Sequence, residues 1–251
     1  VQPNTFNMYC HREPRFYLTV VWNGQWFKWE NRNTNFLYGQ PDGGPTHDAP
    51  QNGYLNRSRV SLDYIPRDNN HPYRPAIIFR MAEAYLSYAE ALNESSERMS
   101  HKQEILDNLN KIRHRAGIAE YGTGTDENGF TRIKINFSDQ KEVRRLIHKE
   151  RRVEFVGEGV RYHDLRRWKT AHYGIGNLNE QGENPDWGVN GPDYGMNYYG
   201  TEYTDQGDNA FFKRTKYMDR VYPRKFYWYP IHQSEIDKDP TLVQGPFWLG
   251  E

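Results

Sequence analysis

Long apolar runs, net charge and cysteine are all scarce in this chain, and each scarcity closes off a class of function. No stretch approaches the roughly 18 consecutive apolar residues that a membrane-crossing helix needs. The 33 Lys and Arg residues cancel 33 Asp and Glu, so no overall field draws the chain to nucleic acid or to an anionic lipid surface. A single cysteine, Cys10, excludes an internal disulfide framework and any cysteine-rich zinc site. The 9 histidines contain no H-E-x-x-H pair, and neither G-x-x-x-x-G-K-S/T nor G-x-G-x-x-G occurs. Zinc hydrolysis and nucleotide binding therefore lack their usual side chains, and neither a metal nor a cofactor is expected.

Aromatic residues are what the chain has in excess. Its 19 Tyr and 7 Trp stand in a sequence whose hydrophobic total is only 36%; such a surplus either stiffens irregular loops or faces a ligand. At 251 residues one or two domains fit, at about 150 residues each, and the sequence reads as one. The first strong element is "RFYLTVVWNGQWFKWE", two strand-prone runs joined at Asn23-Gly24, a pair suited to the two positive φ angles of a type I′ turn. A β-hairpin is expected, with Trp22 facing Gln25 and Val21 facing Trp26. Residues 31 to 75 read as polar connection, with "GQPDGGP" as the clearest turn cluster.

Helical periodicity begins at Ala76, just after Pro75. Ile77, Met81, Ala84, Tyr85, Tyr88, Ala91 and Leu92 fall on one face at about 100° per residue, while Phe79, Ala82, Leu86 and Ala89 form a second apolar strip, so this helix is expected between two neighbours. "EILDNLNKIRHRAG" follows with the stripe Ile105, Leu109, Ile112 and Ala116 and with Gly117 placed to end it. Together the two make an antiparallel helical hairpin. A third helix opens at Ser138 or Asp139, with Glu142 in the capping-box position, and carries the stripe Val143, Leu146, Ile147 and Val153. Gly157 and Gly159 stop it and "RYHDLRRW" starts a shorter helix. From about 170 to 226 no period is sustained, and a stretch that long usually has a function or is mobile.

The charges around residue 150 are distributed by the same period. Lys141, Arg144, Arg145, His148 and Arg152 take the polar side, whereas Glu150 and Glu154 point into the core side. Buried carboxylates need partners; Arg161, Arg166 and Arg167 of the next helix are the nearest candidates, and Asp164 is expected to answer Arg151 or a neighbour. A glycosidase reading of Glu150 and Glu154 is weaker, because successive turns of one helix present both acids from the same side of a bond.

"FRMAEAYLSYAEALNE" closely resembles a helix of the SusD/RagB family of bacterial nutrient-binding lipoproteins, and further segments fit in the family's order. "LNKIRHRAGI" resembles its next helix, "LIHKERRVEFVGEGVRYHDLRRW" its ERR-x-E-F…EG-x-R…DLRRW block, "YPIHQSEIDKDPTLVQGPFW" its C-terminal signature, and "HREPRFYLTVVWNGQWF" its Asp-Pro-Arg segment. The chain departs from the pattern at Glu13, where Asp is usual, at His232 in place of a second Pro, and at Gly245-Pro246-Phe247 in place of Asn-Pro-Gly.

The resemblance implies a mostly α, SusD-like fold of tetratricopeptide-type helix pairs with long irregular loops and a small β-hairpin. It also implies that residues 1 to 251 are the C-terminal domain of a longer protein whose other half is helical and whose anchor is a lipidated cysteine. Function follows by the same implication: non-catalytic capture of an oligosaccharide, or in some members a peptide, at the outer-membrane surface, and delivery to a SusC/RagA-type TonB-dependent barrel transporter. Sugar capture stacks aromatic faces on pyranose rings, which makes Trp26, Trp29, Trp187, Tyr194, Tyr198 and Tyr199 the candidates. Packing accounts for the same residues, within the hairpin or within the loop, so both roles stay open. A glycoside hydrolase and a protein-binding helical scaffold are the rival readings.

Overall fold

Apolar stripes on three helices meet in the main core of this computed structural model, which describes residues 5–58, 60–61, 69, 72–73, 75–174 and 188–248, the side chain of Trp29 excepted. Helices α1 (Pro14–Thr19), α2 (Met81–Glu94), α3 (Lys102–Arg115), α4 (Gln140–Glu154), α5 (Val160–Arg167) and α6 (Gln233–Lys238) are its principal elements. Ala82, Leu86 and Ala89 of α2 pack with Ile105, Leu109 and Ile112 of α3 and with Val143, Leu146 and Ile147 of α4, all buried. These are stripes that the 3.6-residue period marks out. No helix among the described residues is long and apolar enough to cross a membrane.

Local chemistry sets the helix ends. Asp139 caps α4, its carboxylate accepting from the backbone N–H of Lys141 at 2.9 Å and of Glu142 at 3.2 Å, so two of the first-turn donors are satisfied. At the end of α3, Gly117 takes a left-handed φ of 65°. Its N–H reaches the His114 carbonyl at 3.0 Å while the Ile118 N–H reaches that of Arg113 at 3.1 Å, the paired bonds of a Schellman stop.

Two expectations are corrected. Residues 75–80 are not helical, and α2 begins at Met81 because Arg80, with φ −141° and ψ 153°, is extended and turns its guanidinium onto α4. Of the two apolar strips on α2 one is buried; in the other Tyr85 and Leu92 are half-buried against the core, while Met81 and Tyr88 are exposed, as is Ile77 ahead of the helix. The second correction concerns Asn23-Gly24. Residues 15 to 19, read as strand, lie in α1, which opens at Pro14. Strand β1 (Val20–Trp22) pairs with β4 (Tyr54–Asn56), and β2 (Trp26–Phe27) with β3 (Arg32–Asn33). Only Gly24 has a positive φ, 89°. A turn with one positive φ, at its third residue, splays the strands it joins, so β1 and β2 leave in different sheets. The small hairpin is β2–β3. Beside it Tyr9, Trp22, Phe36, Met196, Phe211 and Phe212 form a buried aromatic cluster.

The chain comprises two compact units, Val1–Arg161 with Tyr194–Thr215, and Tyr162–Asp193 with Lys216–Glu251. The two-stranded sheet of β5 (Gly191–Gly195) and β6 (Thr215–Arg220) completes the strands. In the second unit Leu165, Ala171 and Tyr222 are the buried cluster. Its C-terminal turn is tied by Gln244, whose amide accepts from the Ile231 N–H and donates to the Ile231 carbonyl, each at 2.8 Å. Phe247 holds a φ of 65° there, at the position where the resemblance places glycine.

Candidate functional site

Glu150 and Glu154 lie one turn apart on α4, both buried, and each of their carboxylate oxygens meets an arginine. Arg15 Nη1 donates to Glu150 Oε1 at 2.6 Å and to Glu154 Oε2 at 3.0 Å. Arg113 Nη1 donates to Glu150 Oε2 at 2.9 Å, and Arg80 and Arg115 both donate to Glu154 Oε1. Beyond these, Arg80 grips Glu158 through two bonds of 2.7 and 2.9 Å, and Arg15 grips Glu13 through bonds of 2.8 and 3.0 Å. Four guanidinium groups thus interleave with four carboxylates. Burial by itself would raise the Glu154 carboxyl, but the hydrogen bonds and charges of Arg80 and Arg115 outweigh it and hold the group below its ordinary value.

These arginines come from α1, from the residue before α2 and from α3, whereas the sequence offers Arg161, Arg166 and Arg167 as the nearest candidates. Arg166 donates instead to the carbonyls of Phe226 and Tyr227, at 2.6 and 2.9 Å, and Arg167 pairs with Asp164 of its own helix at 3.0 Å. Arg161 is half-buried at the start of α5. Arg151 is buried, with Ser87 Oγ at 3.0 Å and Glu90 at 3.9 Å. His148, assigned to the polar side, is buried 3.7 Å from Glu90. Gly157 and Gly159, between α4 and α5, hold positive φ values of 77° and 80°. With every carboxylate oxygen already meeting a guanidinium, the two acids stand as partners of arginines drawn from other parts of the chain. The cluster is a tie between helices.

The aromatic candidates separate. Trp187 and the side chain of Trp29 lie outside the described residues. Trp26 is 48% exposed beside a recess of about 270 Å³ shared with Phe27 and Arg57. Tyr194 is exposed, with the Arg214 guanidinium 3.8 Å from its ring centre. Tyr198 and Tyr199 are brought together with a third ring, Tyr38, which the sequence did not single out. The Tyr198 and Tyr199 centroids are 5.1 Å apart at 90°; Tyr38 is 6.1 Å from Tyr198 and 5.5 Å from Tyr199. Tyr199 is 70% exposed.

This tyrosine cluster is built on pinned backbone. The Tyr38 N–H donates to the Gly200 carbonyl at 2.8 Å, joining the two loops. Asp42 closes the first loop: it accepts two bonds from Arg32, at 2.6 and 2.8 Å, and one from the Asn35 N–H at 2.8 Å. Burial would raise the Asp42 carboxyl, yet these bonds hold it low. Gly44 is a glycine because a Cβ there would stand 2.6 Å from Cζ and Oη of Tyr198. The turn cluster "GQPDGGP" was the only signal in the sequence that this loop is rigid, and nothing in it pointed to Tyr38.

The SusD family matches residues 2–248 of this sequence. The chain belongs to the SusD family. Among curated relatives, SusD-like protein P25 of Formosa agariphila is 32% identical over 109 residues, which is 43% of this chain and 18% of that protein. SusD-like protein P38 of the same organism is 32% identical over 103 residues, 41% of this chain and 19% of that one. The crystal structure of a SusD-like protein from Bacteroides fragilis superposes with a TM-score of 0.66 at 26% identity, covering 99% of this chain and 41% of its own. The SusD chain described here therefore spans well under half the length of a solved relative. SusD proteins are generally nutrient-binding, without catalytic activity, associated with the cell surface and partnered with outer-membrane transporters.

Proposed function

We propose that this chain is the C-terminal part of a cell-surface SusD protein that holds an oligosaccharide on the Tyr38, Tyr198 and Tyr199 cluster and delivers it to a TonB-dependent barrel transporter. The observation that carries the reading is the arrangement of the three rings: an exposed tyrosine set against two half-buried ones on loops closed by Arg32–Asp42. Such a surface offers π-faces to the apolar faces of sugar rings and phenolic hydroxyls to their hydroxyls, in a geometry set before the ligand arrives. A lipid anchor outside this sequence would hold the protein at the membrane.

The test is calorimetric titration of the full-length protein with neutral oligosaccharides, for example maltoheptaose and a xylo-oligosaccharide, and with a tryptic peptide mixture. Saturable glycan binding lost in Tyr199→Ala, with no release of reducing ends, supports the reading. Peptide binding alone would assign a peptide cargo, and hydrolysis of the glycan would make the protein an enzyme. Crosslinking in native outer membranes followed by mass spectrometry tests delivery; recovery without any barrel transporter defeats that part.

A further inference from the structure

A cleft of about 780 Å³ opens in the first unit between the outward face of α3 and the loop of residues 120–137. That size falls among ligand pockets. Its far wall is fixed before any ligand binds. The Asn110 side chain holds Tyr121 by two backbone bonds of 2.9 and 2.8 Å. Asp126, buried, accepts from the N–H groups of Glu120, Asn128 and Phe130 at 2.9 to 3.1 Å.

The charges of the cleft are unequal in what they leave free. Glu120 is buried and already answered by Arg132 Nη2 at 2.8 Å and by His114 Nδ1 at 3.2 Å. Asp107, exposed at the cleft's edge, accepts from the neutral Gln103 amide at 2.7 Å, which orients the carboxylate and leaves its charge in place. Glu127 is the one lining carboxylate without a partner among the described residues, and it is exposed. Against it stand two lysines that line the cleft and have no carboxylate among the described residues, Lys111 and Lys134. The Lys111 ammonium lies 4.4 Å from the centre of the Tyr85 ring, a contact that orients it without cancelling its charge. Arg132 uses Nε and Nη2 on Glu120, which leaves Nη1 for another acceptor. Leu106, Ile135 and Phe137 supply apolar surface beside these donors.

We propose that this cleft is a second ligand site, for an acidic sugar residue whose carboxylate or sulfate is held by Lys111, Lys134 and Arg132 while its ring lies on Tyr85 and the apolar wall. A bare anion would use the cations alone; the aromatic and aliphatic lining matches a pyranose that carries the charge. The inference rests on the glycan reading above and adds a class of cargo to it.

The experiment is titration of the full-length protein with tetragalacturonate, which is carboxylated, with a sulfated carrageenan tetrasaccharide, and with neutral maltotetraose, each in low and in 0.5 M salt. Lys111→Met combined with Lys134→Met is compared with wild type and with Lys141→Met, an exposed lysine outside the cleft. At least one acidic oligomer should bind wild type and Lys141→Met alike, bind the double variant 10-fold or more weakly, and lose affinity in high salt; which one binds distinguishes carboxylate from sulfate. Circular dichroism of the double variant should be unchanged, since neither lysine has an ion pair to lose among the described residues. Equal binding of an acidic oligomer by the double variant overturns the proposal, as does capture of neutral glycan with no acidic oligomer bound. Failure of every glycan to bind removes the function proposed above together with this site, whereas loss of neutral binding alone in Tyr199→Ala leaves the cleft standing.

Discussion

Arg15 reaches Glu150 across 135 positions of sequence, with 2.6 Å between Nη1 and Oε1. The same nitrogen stands 3.0 Å from Glu154, so one guanidinium of α1 ties two successive turns of α4. Removing one member of a buried pair strands its partner, at a cost of about 3 to 5 kcal/mol. Glu150→Ala should reach that range in a urea or thermal melt, because Arg15 and Arg113 both lose an acceptor. Arg115→Ala should cost far less, since its side chain is 56% exposed and water replaces what it loses. Equal losses in the two variants would show that exposure does not grade this network.

Acid should weaken the fold through the same cluster. The Glu154 carboxyl is held below its ordinary value in the folded protein, and an unfolded chain has no such arginines around it. A depressed folded pKa contributes stability that is fully present above the unfolded value, near 4, and is lost as pH falls through the folded value. Asp42 has the same sign. The melting temperature should be nearly flat around neutrality and fall below about pH 4. Glu154→Gln should be less stable at pH 7 and lose less on acidification; parallel pH curves for the two proteins would contradict this.

Tyr199→Ala should separate binding from folding. The ring is exposed, so its loss should leave the melting temperature within a degree or two, while glycan affinity falls by about 1 kcal/mol or more, roughly fivefold. Trp22→Ala is the contrasting case. Trp22 is buried in the aromatic cluster, and truncating such a ring costs about 3 to 5 kcal/mol. Differential scanning fluorimetry and calorimetric titration on both variants distinguish the roles.

Gly44→Ala should disturb the tyrosine cluster without unfolding it. The added Cβ would lie 2.6 Å from the end of the Tyr198 side chain, and an aromatic ring on a surface loop can swing aside more cheaply than backbone can. Glycan affinity should drop severalfold with a stability loss near 1 kcal/mol. Tyr198→Ala combined with Gly44→Ala should then be no weaker a binder than Tyr198→Ala alone, which a double-mutant cycle measures directly.

Short-range physics determined what could be read in the sequence. The stripes of α3 and α4, the Asp139 cap, the Gly117 stop and the burial of Glu150 and Glu154 follow from a 3.6-residue period and from backbone donors a few residues away, and the ordered motifs carried the family. Only the tertiary structure decided which cations meet Glu150 and Glu154: a helical wheel says that a carboxylate faces inward, but any of 33 Lys and Arg side chains could stand opposite, and those that do come from 37 to 139 positions away. The strand partners around Asn23-Gly24 were settled in the same way, because a turn fixes direction locally while the partner strand is whichever edge the packed chain brings alongside. Tyr38 belongs to the tyrosine cluster for that reason too: 160 positions separate it from Tyr198, and only the folded loops, joined at the Tyr38–Gly200 hydrogen bond, make the two rings neighbours.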